Sequence, residues 1–280
     1  MKLLIKNNYS FHWEIIESVI VKYYEILKID KETPIEIYLS VNNENSFVKY
    51  IEKKYPEIKF KNINDYDYSI NCTVYDKNFD KLNIDINSNT KYIAHDITER
   101  LKNNPNIFFL TPLAVNNIFN ANILPYSDIK IKTDIPIYII QGNIERGRRN
   151  FGLLKKLLDN ESYKYDFKIK ILGRGNLPDE LKKHKNKIII KSNLNFIDFH
   201  KEFCDGYCII PLTSKDKQPQ YYKNKLTSSI NYTRGYKLKC LLDKNLNDIY
   251  NLENAEIYND SNDIIMHFEK TLEDFYNSKI

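Results

Sequence analysis

Residues 138–154, YIIQGNIERGRRNFGLL, place a glycine and three arginines in a turn between an apolar strand and an apolar helix. The chain has only 7 glycines in 280 residues, so a glycine at this turn indicates a close approach of the backbone to a ligand. The first turn of a helix offers unpaired N–H groups, and arginine offers planar pairs of donors. These groups are suited to phosphate oxygens. A solvated arginine loop is the alternative that this segment leaves open.

Two further strand-to-helix turns carry related residues. The segment ILGRGNLPDEL places glycines directly after a strand, and KLTSSI places hydroxyl groups at the start of a helix. The residues concerned are Gly173, Gly175, Thr227, Ser228 and Ser229, with Lys225 beside the hydroxyl groups. Such groups bind anions at a helix N-terminus, although tight turns and helix capping also account for each of them separately. The spacing matches neither the Walker loop nor the dinucleotide-binding glycine pattern.

The first half of the chain places histidines after two strands. His12 and Glu14 lie in NNYSFHWEIIE, where they could contact an acceptor hydroxyl or relay a proton. Trp13 could stack on a sugar ring, with packing in the core as the alternative. His95 and Asp96 end another strand in YIAHDITERL, at a place suited to polar chemistry in a cleft. The alternative is that Asp96 caps a helix and His95 has no functional role.

Apolar strands alternate with amphipathic helices along both halves of the chain. In the first half the predicted strands are MKLLIK, IEIYLSV, KFKNI, YSINCTVY, KYIAHDI and NIFFLTPLA, and ITERLKN is a predicted helix. In the second half IPIYIIQG, FKIKILGRG, KIIIKS and YCIIPL alternate with the predicted helices NFGLLKKLLD, LPDELKKH and NFIDFHKEFCD. Gly235 fits a helix C-cap. The pattern loosens over residues 121–136. It predicts an α/β protein with mostly parallel sheets in two domains, 1–128 and 129–280.

Composition limits the class of protein. The net charge is +5, but lysines and acids are interleaved and no basic helix alternates with aromatic residues, so no nucleic-acid partner is expected. The run KKHKNKIIIK leaves a weak association with a membrane surface open. No apolar run is long enough to span a bilayer or to form a signal peptide, so we expect a soluble, cytoplasmic protein. Cys72, Cys204, Cys208 and Cys240 lack metal-ligand spacing and are interpreted as buried, reduced thiols.

The segments of the second half, taken in order, resemble the nucleotide-sugar-binding half of retaining glycosyltransferases of the glycosyltransferase-B fold, particularly family 4 and its relatives. The resemblance rests on QGNIERGRR, ILGRG and FCDGYCIIP and covers residues 135–242. It implies two Rossmann-like lobes with a cleft between them. The first lobe would bind the acceptor, the second would bind the donor, and the last helix, 263–276, would pack back on the first lobe.

The resemblance also implies a hexosyltransferase-like enzyme of glycan biosynthesis. It would move a sugar from a UDP- or GDP-linked donor to a glycan, lipid or protein acceptor, with retention of configuration and without a metal or other cofactor. The implied donor contacts are Gly142, Arg148, Arg149, Gly173, Lys225, Thr227, Ser228 and Ser229. The implied catalytic residues are His95, facing the transferred sugar, and His12, the natural general base of an inverting enzyme.

Within this scheme Gly142 makes room for the diphosphate, and Arg148 or Arg149, with Lys225 opposite, neutralises it. Arg146 is less suited because Glu145 lies beside it. The segment KLTSSINYTRGYK lacks the two glutamates, seven residues apart, that family 4 members commonly carry. A catalytically silent nucleotide-sugar-binding module and a nucleotide-sugar epimerase of the same fold therefore stay open as alternatives.

Overall fold

The chain folds into two compact units in a computed structural model that describes residues 1–9, 12–41, 45–77, 89–121, 123–126 and 129–279. The first unit comprises residues 1–124 with the short segments 195–197 and 224–226. The second unit comprises residues 125–194, 198–223 and 227–280. The chain first passes from one unit to the other between residues 124 and 125, close to the predicted boundary at 128.

The first unit is built on a parallel sheet. Its described strands are β1 (Lys2–Asn7), β2 (Glu36–Val41), β3 (Tyr68–Val74), β4 (Thr90–Ala94) and β5 (Ile107–Phe109). They lie in the order β2-β1-β3-β4-β5, and every pair is parallel. The order reverses between β1 and β3, and the carboxyl ends of two strands at such a switch point form a crevice suited to ligands.

The helices described in the first unit are α1 (Trp13–Leu27) and α2 (Asn45–Lys54). The apolar face of α1 is buried, as its period predicts, with Ile15, Ile16 and Val19 in the core. Two predicted elements do not form. Residues 97–103 are turns instead of a helix, and residues 59–63 contribute only an isolated bridge from Lys59 to Tyr38.

The second unit is built on another parallel sheet. Its strands are β6 (Ile137–Gln141), β7 (Lys168–Leu172), β8 (Ile188–Lys191), β9 (Cys208–Ile209), β10 (Lys239–Asp243) and β11 (Ala255–Tyr258). They lie in the order β11-β10-β9-β6-β7-β8, and all neighbours are parallel. The switch point lies between β6 and β9. The two sheets confirm the predicted α/β class with two Rossmann-like lobes.

The helices that complete the second unit are α3 (Phe151–Asp159), α4 (Phe196–Lys201), α5 (Gln220–Lys223), α6 (Ser228–Tyr236), α7 (Lys244–Tyr250) and α8 (Ile264–Asn277). The predicted helix LPDELKKH is a 3₁₀ helix, Asp179–His184. Gly235 is not the C-cap of α6, because Lys237 adopts the left-handed conformation there and donates its N–H to Arg234 and Thr233.

The last helix, α8, packs on the sheet of the second unit. Its buried residues Ile264, Phe268 and Leu272 belong to the core of that sheet. The ring of Phe268 lies 4.4 Å from the ring of Tyr138 on β6, and the Tyr138 hydroxyl lies 2.7 Å from Oγ1 of Thr271. The sequence predicted that this helix packs back on the first domain, and that packing stays a prediction. Its apolar face is used within the second unit.

Strand β5 and residues 137–140 of β6 are continuous buried apolar runs, as expected for parallel sheets covered on both faces, whereas β3 and β7 include the buried polar residues Ser69 and Lys170. All four cysteines are buried and free. Among the described residues, no helix combines the length and the apolar composition needed to cross a membrane.

Candidate functional site

The turn after β6 is built around the side chain of Arg149. Gly142 has a φ of 114°, and a Cβ added there would lie 2.3 Å from Nη2 of Arg149. The space above this glycine is therefore taken by the guanidinium, and the contact of Gly142 with a diphosphate stays a prediction. The absence of a side chain at Gly142 allows an arginine to lie flat against the end of the strand.

Arg149 is only 4% exposed, which is rare for an arginine. Its guanidinium donates to the carbonyl oxygen of Arg148, at 2.8 Å, and to that of Gln141. Its Nε is buried and has no hydrogen-bond partner among the described residues. Burial lowers the pKa of Arg149, and the charge and hydrogen bond of the Tyr221 side chain and the charge of Glu145 oppose this effect, although arginine stays charged in proteins. The carboxyl end of β6 thus holds a fixed cation whose Nε–H has no hydrogen-bond acceptor among the described residues.

Gly173, the glycine after β7, allows two strand ends to meet. A Cβ at this position would lie 2.0 Å from the carbonyl oxygen of Gly142. The Gly142 N–H in turn donates to Leu172, at 2.8 Å. Gly173 therefore acts on the predicted site through backbone packing, because it brings the turn after β7 against the turn that carries Arg149.

The N-terminus of α6 lies at the same strand end. The Ser228 hydroxyl donates to Oε1 of Gln141 at 3.0 Å, and the Ser229 hydroxyl donates to the same oxygen at 3.4 Å. Thr227 is the N-cap but makes no capping bond, and its buried Oγ1 has no partner among the described residues. The predicted hydroxyl cluster is therefore present, and it lies beside Arg149 because Gln141 contacts both. Gln141 itself was not predicted; its only signal is a polar residue at the end of an apolar strand.

Two loops at the switch point are joined by hydrogen bonds. Asn150 donates its backbone N–H to Leu212 at 2.6 Å and its side-chain amide to Ser214 at 3.1 Å. Gln218 donates to the carbonyl oxygen of Arg146 at 3.2 Å. Leu212, which is buried, has a φ of 50°, a strained value for a branched residue without a polar side chain. The loops after β6 and β9 thus form one fixed platform.

The two neighbouring arginines differ from Arg149. Arg148 is exposed and forms an ion pair with Glu145 at 3.0 Å, and Arg146 forms one with Glu180 at 2.8 Å. The sequence assigned Glu145 to Arg146, and the structure assigns it to Arg148. Exposed pairs of this kind contribute little to stability. Of the three arginines, Arg149 is therefore the one that is buried at the carboxyl end of β6.

Lys225 lies in the first unit. Its Nζ is 2.9 Å from Oδ1 of Asp96, and the Asn224 carbonyl accepts the N–H of Ile97 at 2.8 Å. An antiparallel bridge joins Asp96 to Lys225. The ammonium predicted to neutralise a diphosphate opposite the arginines is therefore paired with an aspartate, and Asp96 serves this pair in place of a helix cap.

The two predicted catalytic histidines meet at the switch point of the first unit. The rings of His12 and His95 stack with 3.7 Å between centroids and 17° between planes. Nδ1 of His12 lies 3.3 Å from Oγ1 of Thr73, near the end of β3, and the ring of Tyr75 is 6.0 Å from that of His95. His12 follows β1 and His95 follows β4, so the parallel sheet brings together residues that are far apart in sequence.

His95 is buried and neutral. Burial first and the charge of Lys225 second lower its pKa from 6.5 to about 3, and a hydrogen bond to the backbone of Cys72 acts in the opposite direction. A bond that raises this pKa is one that the ring donates. Because Nε2 has no partner among the described residues, the donor is Nδ1–H. The arrangement leaves the Nε2 lone pair as an unused acceptor.

Two neighbours of His12 have separate roles. Burial raises the pKa of Glu14 to about 7, although the residue is only partly buried. The ring of Trp13 stacks on that of Phe47 with 5.1 Å between centroids. Trp13 therefore packs against a core residue, the alternative left open by the sequence, and Glu14 is a carboxyl group able to change charge near neutral pH.

Asp205, in the segment FCDGYCIIP, has a structural partner. Its carboxylate lies 2.5 Å from Nζ of Lys170 on β7, and Glu202 lies 2.9 Å from the same ammonium. Lys170 is buried, and a buried ammonium needs such acceptors. The aspartate of this motif therefore neutralises a lysine within the sheet.

No protein-family model matches the sequence, and no curated protein matches it. Solved structures do match at low identity. AviGT4, "a glycosyltransferase involved in Avilamycin A biosynthesis", has a TM-score of 0.57 at 7% identity, over 98% of this chain and 88% of that one. Sucrose-phosphate synthase from Thermosynechococcus elongatus has a TM-score of 0.56 at 8% identity, over 98% and 90%.

A third match is a putative UDP-N-acetylglucosamine 2-epimerase from Listeria monocytogenes, with a TM-score of 0.51 at 8% identity, over 97% of this chain and 88% of that one. Transferases and an epimerase thus share this architecture. Identities of this size establish the fold and leave the reaction to the site residues. The chain has the glycosyltransferase-B fold, which confirms the resemblance at that level, while membership of family 4 stays a prediction.

Proposed function

We propose that the chain is a glycosyltransferase that uses a nucleotide-diphosphate sugar as donor. The observation that carries this proposal is Arg149, a buried cation with an unused donor, at the end of β6 and at the switch point of the second sheet. Among the described residues Arg149 has no direct ion pair, although the charge of Glu145 acts on it, and a buried arginine of this kind is costly unless an anion completes its surroundings. The first turn of α6 adds backbone N–H groups beside it.

In this reaction the bond between the sugar and the β-phosphate breaks, and a bond between the sugar and an acceptor oxygen forms. Negative charge develops on the departing diphosphate. Arg149, the hydroxyl of Thr227 and the N-terminus of α6 would stabilise that charge, and this kind of fixed electrostatic contribution is usually the largest in catalysis. Lys225, which is paired with Asp96, is not assigned a role in this step.

The first unit would supply polar contacts to the transferred sugar or the acceptor. His95 would accept a hydrogen bond from a hydroxyl group through Nε2, and its depressed pKa makes it a poor proton acceptor at neutral pH. Glu14, with a pKa of about 7, is better suited to take a proton. In a retaining reaction the leaving phosphate can take the acceptor proton, so neither group is then required as a base.

Calorimetry with UDP and GDP tests the donor site directly. A charge-assisted contact contributes about 1.5 to 3 kcal/mol, so Arg149→Ala should weaken diphosphate binding by about tenfold to a hundredfold. Arg148→Ala is the matched control, since Arg148 is exposed and paired with Glu145, and should change the affinity by less than about twofold. Equal losses for the nucleoside and the diphosphate in Arg149→Ala would indicate a structural role only and would contradict the proposal.

Turnover distinguishes the proposed transferase from its alternatives. The protein would be incubated with a panel of UDP- and GDP-sugars, with and without glycan, lipid and peptide acceptors. A transferase releases nucleoside diphosphate faster when its acceptor is present. An epimerase changes the sugar without releasing diphosphate, and a silent module binds without either change.

A further inference from the structure

Gln141 joins the two parts of the proposed diphosphate site. Its backbone carbonyl accepts from the guanidinium of Arg149, and its side-chain Oε1 accepts the hydroxyls of Ser228 and Ser229 at 3.0 and 3.4 Å. One residue thus fixes the buried cation and the N-terminus of α6 with respect to each other. Both serine hydroxyls are used in this contact, so they are not free to donate to a ligand.

A carboxylate would make these contacts more strongly. Two hydroxyl donors, a helix N-terminus and an adjacent guanidinium all favour a negative charge, and glutamate has the same shape as glutamine. The neutral amide at this position therefore adds no negative charge beside the guanidinium, and the charge of Glu145 is the carboxylate charge that acts on Arg149. Within the described part of the chain, the nearest carboxylate along the loop, Glu145, is paired with Arg148.

We propose that the neutral side chain of Gln141 keeps the diphosphate site free of negative charge, at a cost in stability of the unliganded protein. This inference rests on the proposed function. It predicts that the stability of the unliganded protein and its affinity for the diphosphate change in opposite directions. A carboxylate at residue 141 would stabilise the unliganded fold and would compete with the diphosphate for the same cation and helix N-terminus.

The test compares Gln141→Glu with Gln141→Met, which matches it in size and removes the side-chain acceptor without adding charge. Thermal unfolding and calorimetry with UDP and GDP would be measured at pH 8, where the new glutamate is ionised. We expect Gln141→Glu to raise the midpoint of unfolding by about 1 to 3 °C and to weaken diphosphate binding by about tenfold. The loss should shrink at high salt, because it is electrostatic.

Gln141→Met should lower the midpoint of unfolding and change the affinity by only about threefold or less. If Gln141 had a purely structural role, the less stable variant would also bind UDP and GDP more weakly, so Gln141→Met would bind them more weakly than Gln141→Glu. That order, or a Gln141→Glu protein that unfolds more easily or binds UDP and GDP as well as the wild type, would overturn the inference. If the wild type bound neither UDP nor GDP, the proposed function would fail instead.

Discussion

Replacing His95 with asparagine should remove much of the sensitivity of the first unit to mild acid. His95 is 8% exposed, and its pKa falls from 6.5 to about 3 on folding, chiefly through burial and secondly through Lys225. Between these two values the unfolded chain binds a proton that the folded chain does not bind. The stabilisation that comes from neutral His95 is therefore complete above pH 6.5 and is lost progressively as the pH falls toward 3.

The magnitude follows from the shift. Each pH unit within this window is equivalent to about 1.4 kcal/mol, so the wild type should lose about 2 kcal/mol from this group between pH 7 and pH 5. Such a loss is a large fraction of the roughly 5 to 15 kcal/mol that stabilises a typical domain. His95→Asn does not titrate, and its amide can still donate to the carbonyl of Cys72.

The assay is urea unfolding followed by tryptophan fluorescence at pH 7, 6 and 5. Trp13 is the single tryptophan, and it lies in the same unit as His95, so its fluorescence reports the relevant core. We expect the difference in unfolding free energy between wild type and His95→Asn to shift by about 2 kcal/mol against the wild type from pH 7 to pH 5. Parallel profiles for wild type and His95→Asn would refute the reasoning.

Three further changes separate packing from binding and catalysis. Gly173→Ala places a Cβ 2.0 Å from the carbonyl oxygen of Gly142 and should lower stability in thermal unfolding by about 2 kcal/mol or more, whereas Gly147→Ala, with no atom within 4 Å of its Cβ, should be nearly neutral. Thr227→Val should leave the unliganded protein as stable as before, since the hydroxyl has no partner among the described residues, and should weaken UDP binding by about two- to tenfold; unchanged UDP affinity would exclude a phosphate contact. His95→Asn should lower kcat far more than it raises the Kd for UDP, and full turnover with an identified donor would assign His95 to packing alone.

The fold was predictable because strands rich in apolar residues, such as β5 and β6, alternate with amphipathic helices along the chain. The failures have local causes. Residues 97–103 have a helical period, but the side chain of Thr98 accepts the N–H of Leu101 and donates to Asp76, which favours a turn. Hydroxyl side chains compete with the backbone in this way, and their effect is not visible in a pattern of apolar residues.

The sequence indicated which types of residue form the site, but it gave little information about which of these residues contact one another. The sequence selected Arg149, Thr227 and His95 because each follows a strand or begins a helix. It could not foresee that Lys225 pairs with Asp96 or that Gln141 binds Ser228, because these partners meet only through the strand order. The order of strands depends on packing between distant segments, and the spacing of residues along the chain carries little information about it.

The central claim is that a nucleoside diphosphate binds at the switch point of the second unit. The most direct test is a crystal structure of the wild type soaked with UDP or GDP. We expect the phosphates to contact the guanidinium of Arg149 and the first turn of α6, with the hydroxyl of Thr227 among the donors. A nucleotide that binds elsewhere, or one whose phosphates contact Arg146 or Arg148 while Arg149 keeps only its present partners, would contradict the claim.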